Sequence, residues 1–538
     1  MRKDPSTMTR DDLECCRWLT APGGVAMTAD IECGNATQMQ VVGDGHFELW
    51  PEEDNIPRQV QVTGPISCYN VCVLLRNLGG LPAQATLDVR IPPWLIQAGF
   101  DYFLRKPYVV RDADSPDPEW QLLEETHQTD MADRVSLRLN LGPGQMRLLS
   151  ALAHFPYSLC CRRLEQLAAS CAFADLQQIG LSVQGRPIFA LQVGPRDASR
   201  CVLFTGTLQP GEPSAWAVLA MAELATSGDF RAPEDCLLSF VPQPNPDGIV
   251  WGRCNVNAAD DVPVFGFLQA AQGDACPVEA SVLWQYLSRR RPEVFIDFHF
   301  LRLPNHPVPK PYVFDPAIYS DDDTRGRAGR LAQELIALSG CERPYKVALG
   351  DAMWQRLATY QAARVWDSVS FLYQYTGPQT SHTGAQQRGR AVMQAALEIG
   401  LEHTGPSPDP KSAGSARPRR GTVAPPDPRS RRKRRVAIMR APMTQGRHAQ
   451  RPPWRGPRCE SARCLIARRV PPTVTLRGLC PPPPGNRRSP GPPFPPTMTH
   501  ADMLSAHPGA DRGVSPPDPS LLDACRLQRR PSAARPGA

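Results

Sequence analysis

Three stretches of this 538-residue chain set polar side chains directly after short apolar runs. Thr205-Gly206-Thr207-Leu208-Gln209-Pro210-Gly211-Glu212-Pro213-Ser214 follows the run that starts at Cys201. Pro242-Gln243-Pro244-Asn245-Pro246-Asp247-Gly248 follows Leu237 to Val241 and leads into Gly252-Arg253-Cys254-Asn255. Ile296-Asp297-Phe298-His299 completes a run that begins at Val294. Open α/β sheets bind their ligands beyond the carboxyl ends of strands. Amides, carboxylates, an imidazole and a guanidinium at those ends are therefore candidates for holding a cation, moving a proton or gripping an anion. Each also has a plainer use. Glu212 can sit in the first turn of the following helix, where negative charge is favoured. His299 can be a satisfied histidine at a strand end, and Asp247 and Gly248 can be ordinary turn residues.

The patterning predicts two frames that could position these groups. Residues 27–156 read as strands. Gln38 to Trp50 forms a hairpin around Gly43-Asp44-Gly45. Further strands are expected at Val60 to Thr63, Val71 to Leu75, Thr86 to Ile91, Val135 to Leu139 and Met146 to Leu149, several of them alternating apolar and polar residues. This is the signature of a small antiparallel β-sandwich. From residue 157 to 404 the texture changes to βα alternation. Helices are expected at Arg163 to Cys171, after a Ser214 cap, at Arg325 to Ser339 ending on Gly340, and at Gln386 to Glu402. Strands are expected at Pro187 to Val193, Cys201 to Gly206, Leu237 to Val241, Val294 to Phe298 and Ser370 to Tyr375. Such alternation predicts an α/β sandwich around a mainly parallel or mixed sheet. Residues 1–26 read as an N-terminal extension, with Met27 a candidate start.

Residues 405–538 are compositionally a different object. They hold 26 of the 60 Lys and Arg but only 7 of the 53 Asp and Glu, and 28 of the 59 prolines. This is too charged and too proline-rich to bury a core, so a disordered tail is expected. Arg429-Ser430-Arg431-Arg432-Lys433-Arg434-Arg435 fits a nuclear-import or nucleic-acid-binding segment. The same composition fits a solvated tail, or the product of a frameshift or read-through. The first 404 residues are net acidic, which argues against nucleic acid as the main partner. No apolar run reaches the ~18 residues of a membrane span, and the stretch from Met1 through Asp11, Asp12 and Glu14 lacks the apolar run expected of a signal peptide. The seventeen cysteines include adjacent pairs and no CxxC, so free thiols in a reducing, cytoplasmic setting are expected.

Taken in order, the three segments resemble the zinc carboxypeptidase family, and especially its cytosolic-type branch, which carries a β-sandwich ahead of the catalytic domain. The family pattern is HPGE after one strand, NPDG with a following Arg, and D-[LF]-H ending a later strand. Here stand Gln209-Pro210-Gly211-Glu212, Asn245-Pro246-Asp247-Gly248 with Arg253, and Asp297-Phe298-His299. His154-Phe155-Pro156-Tyr157-Ser158 resembles the branch's lead-in to its catalytic domain. The resemblance covers about residues 30 to 402 and implies a carboxypeptidase-like α/β/α domain with a mixed sheet.

It also implies zinc as cofactor. Such an ion takes three N or O donors, keeps a position for water, and lowers that water's pKa to about 7. By resemblance, Glu212 and His299 are metal ligands and Gln209 stands where the first histidine belongs. Arg253 matches the oxyanion-stabilising and substrate-binding Arg, and Asn245 is a further substrate-binding position. Gln374, in Ser370 to Thr376, stands where the general-base Glu should end a strand. A Gln amide is a neutral, weak zinc ligand and cannot accept a proton from bound water. The Asn-Arg pair that grips a terminal carboxylate is replaced within Asp260 to Phe265. His306 and His382 are read as surface histidines or substitute donors. Tyr345, Tyr360 and Tyr373 are packing residues or a substrate-facing phenol.

Two functions follow. The first is a divergent metallocarboxypeptidase-like hydrolase that cleaves a C-terminal peptide bond or an acyl-amino acid, with impaired activity. The second is an inactive relative that binds a peptide without cutting it.

Overall fold

The computed structural model describes residues 2–55, 70–97, 99, 101–105, 108–115, 119–228, 230, 232–300, 310–341, 344–375 and 382–402. The expected strand at Val60 to Thr63, His306 and the whole basic tail lie outside these residues.

The N-terminal strands are β1 (Leu19–Thr20), β2 (Val25–Thr28), β3 (Thr37–Gly43), β4 (His46–Trp50), β5 (Cys72–Asn77) and β6 (Ala83–Arg90). They continue with β7 (Val109–Asp112), β8 (Gln121–Leu122), β9 (Gln128–Asp130), β10 (Arg134–Leu141) and β11 (Met146–Ser150). Short helices α1 (Arg10–Cys15) and α2 (Pro93–Gln97) accompany them. One sheet runs β1-β2-β5-β11-β7-β8 and the other β3-β4-β6-β10-β9, which makes the expected sandwich.

Alternation explains how the first sheet is used. In β5, Val73 and Leu75 point into the core between the two sheets, while Cys72 and Leu74 point into a second core shared with the rest of the chain. Leu149 and Leu148 of β11 divide in the same way. Successive side chains face opposite sides of a strand, so a run apolar on both parities, such as Val71 to Leu75, is the mark of a sheet covered on both faces.

The residues ahead of Met27 are part of this body rather than an extension. Thr9 and Asp12 form a capping box on α1. Asp4 makes a fully buried ion pair with Arg111 at 2.6 Å, and Leu19 pairs with Met27 itself.

The second half carries β12 (Ala174–Leu181), β13 (Pro187–Val193), β14 (Arg200–Gly206), β15 (Cys236–Val241), β16 (Val294–Phe300), β17 (Lys310–Phe314), β18 (Tyr345–Val347) and β19 (Val369–Tyr375). Its helices are α3 (Tyr157–Ser170), α4 (Ala215–Thr226), α5 (Pro246–Val250), α6 (Phe267–Gln272), α7 (Val278–Arg290), α8 (Asp322–Ser339), α9 (Ala358–Trp366) and α10 (His382–Glu398). The strands form one mixed sheet in the order β12-β13-β15-β14-β16-β19-β17-β18. Its centre, β15-β14-β16-β19, is parallel throughout. The chain thus has the expected architecture of a β-sandwich followed by an α/β domain on a mixed sheet.

α4 is apolar around almost its whole circumference, as a fully enclosed helix must be. Ser214 does not cap it. Its own backbone is already helical and its side chain makes no cap hydrogen bond.

α3 starts six residues earlier than the sequence suggested, at Tyr157. Pro156 precedes it and has no side-chain group to cap the helix. The missing acceptor comes from the sandwich: Glu32 Oε2 accepts from Ser158 N at 3.1 Å and from Ser158 Oγ at 2.9 Å. Burial pushes the Glu32 carboxyl up to about 7, against the pull of the two Ser158 donors and of Arg186, with Asp4 adding to the rise.

The folded state therefore binds this proton more tightly than the unfolded chain, whose ordinary value is 4.5. The contribution is complete below pH 4.5 and is lost as pH rises through about 7. Urea unfolding at pH 5 and pH 8 is expected to show the wild type losing on the order of 3 kcal/mol more than Glu32→Gln across that interval. Equal losses in the two proteins would contradict it.

Candidate functional site

The four parallel strands at the sheet centre end side by side, and each delivers one part of the site. β14 leads into the turn that carries Gln209 and Glu212, β15 leads by way of α5 into the loop that carries Asn255, β16 carries His299 one residue before its end, and β19 carries Gln374. The first turn is strained. Thr207 has φ 53°, a left-handed conformation that a β-branched residue rarely adopts. Gly248 is required by close packing. A Cβ there would come within 2.5 Å of both the Pro210 ring and the Val256 carbonyl, forcing apart the loops that bear Gln209 and Asn255.

Gln209, Glu212 and His299 converge. His299 Nδ1 lies 3.1 Å from Glu212 Oε2 and 2.9 Å from Gln209 Oε1. Its Nε2 lies 3.0 Å from Asp297 Oδ2. Asp297 precedes His299 by two positions and so shares its face of β16. Its other oxygen accepts from Thr205 Oγ1 at 2.6 Å, across a pair in register. Glu212 Oε2 also accepts from the Phe300 N–H at 2.9 Å. Thr205, Glu212, Asp297 and His299 are buried, and Gln209 is half-buried beside them. Burial alone would push His299 down, but Asp297 and Glu212 outweigh it and hold the imidazole up at about 10.

The two glutamines are each held by a neighbour. Gln209 Nε2 donates to Asn255 Oδ1 at 2.6 Å, which turns its carbonyl toward His299. Gln374 stands opposite His299 in the β16–β19 register. Its Oε1 accepts from the Tyr312 hydroxyl at 2.6 Å. Tyr312 in turn packs against Tyr345 and Trp354, with ring centroids 4.7 and 4.9 Å away.

Two expected site residues are elsewhere. Arg253 turns away to the sandwich, where its guanidinium meets Glu52 at 2.6 Å. The side chain that reaches the site from this loop is Asn255, two residues on. Asn245 contacts backbone only. It caps α5 through Gly248 N at 3.1 Å and bridges to the Leu208 and Val256 carbonyls at 3.5 and 3.3 Å. It holds two loops together and offers no ligand contact.

Of the tyrosines, Tyr373 is enclosed against Phe298. Tyr360 bonds the Leu349 carbonyl. Tyr345 is the exposed rim of the Tyr312 cluster. His382 opens α10, beyond β19.

Sequence reasoning missed Asp297, Asn255 and Tyr312 as site residues. Asp297 had a signal in its two-residue spacing from His299. Tyr312 had none, because it reaches Gln374 only through the antiparallel pairing of β17 with β19.

The donor set bears directly on zinc. A zinc site takes three protein donors, usually His, Cys or carboxylate. Here Glu212 and His299 are strong donors and Gln209 offers a neutral amide oxygen. Among the described residues, no three His, Cys, Asp or Glu side chains stand where they could share a metal ion. These residues do not fit a resident zinc. What they form is a closed polar cluster of an imidazole between two carboxylates, flanked by two oriented amides.

No family model matches the sequence, and no curated protein is similar to it in sequence. Solved structures do match. A metallo-carboxypeptidase from Burkholderia cenocepacia aligns with 70% of this chain and 98% of its own, at a TM-score of 0.55 and 14% identity. A metallo-carboxypeptidase from Pseudomonas aeruginosa, solved with (2-guanidinoethylmercapto)succinic acid, aligns with 69% of this chain and 98% of its own, at 0.54 and 19% identity. The shared property is the fold: this chain has a metallocarboxypeptidase-like architecture over its sandwich and α/β parts. No helix among the described residues is long and apolar enough to cross a membrane.

Removing His299 would leave Asp297 and Glu212 facing each other without a cation in a buried site. His299→Ala is expected to cost about 3–5 kcal/mol in denaturant unfolding, the range for breaking a buried ion pair. A loss below about 1 kcal/mol, the range of an exposed ion pair, would contradict the ion cluster.

Proposed function

We propose that this carboxypeptidase-fold chain binds a peptide C-terminus or a similar acyl-amino acid at the strand ends without hydrolysing it. The observation that carries this reading is the pair of glutamines flanking His299, one in a metal-ligand position and one in a general-base position. Both are held in place: Gln209 donates its NH2 to Asn255, a bond that a carboxylate could not make, and Gln374 Oε1 accepts from Tyr312. A general base must accept a proton, and a Gln amide does not. An oxyanion needs a donor aimed at it, and the loop that would bring Arg253 sends it to Glu52 instead. Oriented amides present both N–H and C=O groups, which pair with the amide and carboxyl groups of a peptide end. Two tightly placed neutral groups give recognition without chemistry.

The hydrolase reading is favoured by one feature, the convergence of Glu212, His299 and Gln209 on a single point. Metal analysis of the full chain separates the two. After incubation with zinc and removal of the excess, the wild type is expected to retain well under one ion per chain and to release no amino acid from C-terminal peptides or N-acetyl amino acids. Calorimetry is expected to detect binding of at least one of those compounds. Gln209→His restores an imidazole donor and is expected to raise zinc affinity by at least the roughly 10–100-fold that outer-shell partners of a metal are worth. One tightly held zinc in the wild type, or hydrolysis by it, would overturn the binding reading. No gain of zinc in Gln209→His would show that the three positions do not share a ligand point.

A further inference from the structure

The loop that carries Asn255 is held by the sandwich, and the hold is specific. Asp54 lies just beyond β4 and is buried. Its Oδ1 accepts from Cys254 N at 3.1 Å, and its Oδ2 from Asn255 N at 2.5 Å and Val256 N at 3.3 Å. One carboxylate thus takes three consecutive backbone N–H groups. The preceding carbonyls are held too. Gly252 O accepts from Asn35 Nδ2 at 2.7 Å and Asn70 Nδ2 at 2.8 Å, and Trp251 O accepts from Arg2 at 3.3 Å. Gly252 sits at φ +65°, with its Cβ position 2.6 Å from the Gly34 carbonyl, so only glycine permits this approach. From the same loop the Asn255 side chain points the other way and accepts from Gln209, whose carbonyl faces His299.

An interface that only needed to cohere could do so with apolar contacts. A buried carboxylate costs several kcal/mol of desolvation unless it is well paired, and it is retained here on three donors whose spacing sets the course of the Asn255 backbone.

We propose that Asp54 is a positioning residue for the binding site: by fixing the Cys254–Val256 backbone it orients Asn255, and through Asn255 it holds the Gln209 carbonyl in place against His299 and the ligand. The sandwich is thereby a working part of the site. The inference rests on the binding reading above for its consequence, ligand affinity, but its geometry is testable without a ligand. Loss of the Asp54 acceptors frees Asn255, and the Gln209 NH2 then loses the acceptor that holds it, so its carbonyl is no longer fixed at its place beside His299.

The test uses the full chain with 15N-labelled histidine, the His299 ring signals being assigned by their loss in His299→Gln. Asp54→Asn and Asn255→Ala are expected to move the His299 ring nitrogens in the same direction. Where a bound N-acetyl amino acid or C-terminal peptide has been found, both are expected to weaken it about tenfold. Asn35→Ala removes a hydrogen bond to the same loop that does not lead to Asn255. It is expected to lower Tm while leaving the His299 signals in place. Should Asp54→Asn fail to fold, Asp54→Glu, which keeps the charge but displaces the loop, is read in the same way. His299 signals unmoved in the Asp54 variant, or moved equally by Asn35→Ala, would overturn the positioning role. Absence of any ligand for the wild type with the His299 shifts still present would refute the binding reading and leave the positioning role standing.

Discussion

An imidazole enclosed between two carboxylates dictates most of what surrounds it. Neither Asp297 nor Glu212 can be buried alone at tolerable cost, and His299 supplies the charge that makes their burial feasible. The rest of the centre arranges donors around those oxygens. Parallel register sets Thr205 beside Asp297, and the Phe300 backbone reaches Glu212. Gln209 takes the remaining side of the ring. The strain at Thr207 and the side-chain-free contact at Gly248 are the local means of bringing the Glu212 turn close enough.

The same frame could support different chemistry. A fold does not determine a reaction; the side chains at its site do. On the proposed reading Gln stands here in place of His or Glu with little change in size, so the sheet and its loops need not rearrange when a donor or a base is exchanged for an amide. What changes is charge and basicity. A neutral amide relieves the demand for a cation at the centre, and the histidine serves as that cation.

The backbone was more legible in the sequence than the site. Continuous apolar runs such as Cys201 to Gly206 and Val294 to Phe298 announced central strands because burial on both faces leaves no choice of residue type. The hairpin at Gly43-Asp44-Gly45 was legible for an equally local reason. Glu212, His299 and Gln209 were legible through order along the chain. Arg253 misled because residue type was read without direction: its loop is anchored from the sandwich side, and that anchorage turns position 253 outward and position 255 inward. Asp54 and Tyr312 act across more than 60 residues of sequence, through pairings that no local pattern encodes. The early start of α3 was hidden for the same reason, since its cap is Glu32, 126 residues away.

The sheet that shows one face to the sandwich core and the other to the α/β domain has a bearing on how such a chain could have been assembled. A true module carries its own closed surface and can be joined to or parted from a neighbour at a linker. Severed at Pro156, this chain would expose Cys72, Leu74, Val109 and Leu148 on one side and leave α3 without its cap on the other. Substitutions in either half are constrained by the other, so sandwich and sheet are physically one unit in this chain even though they look like two domains.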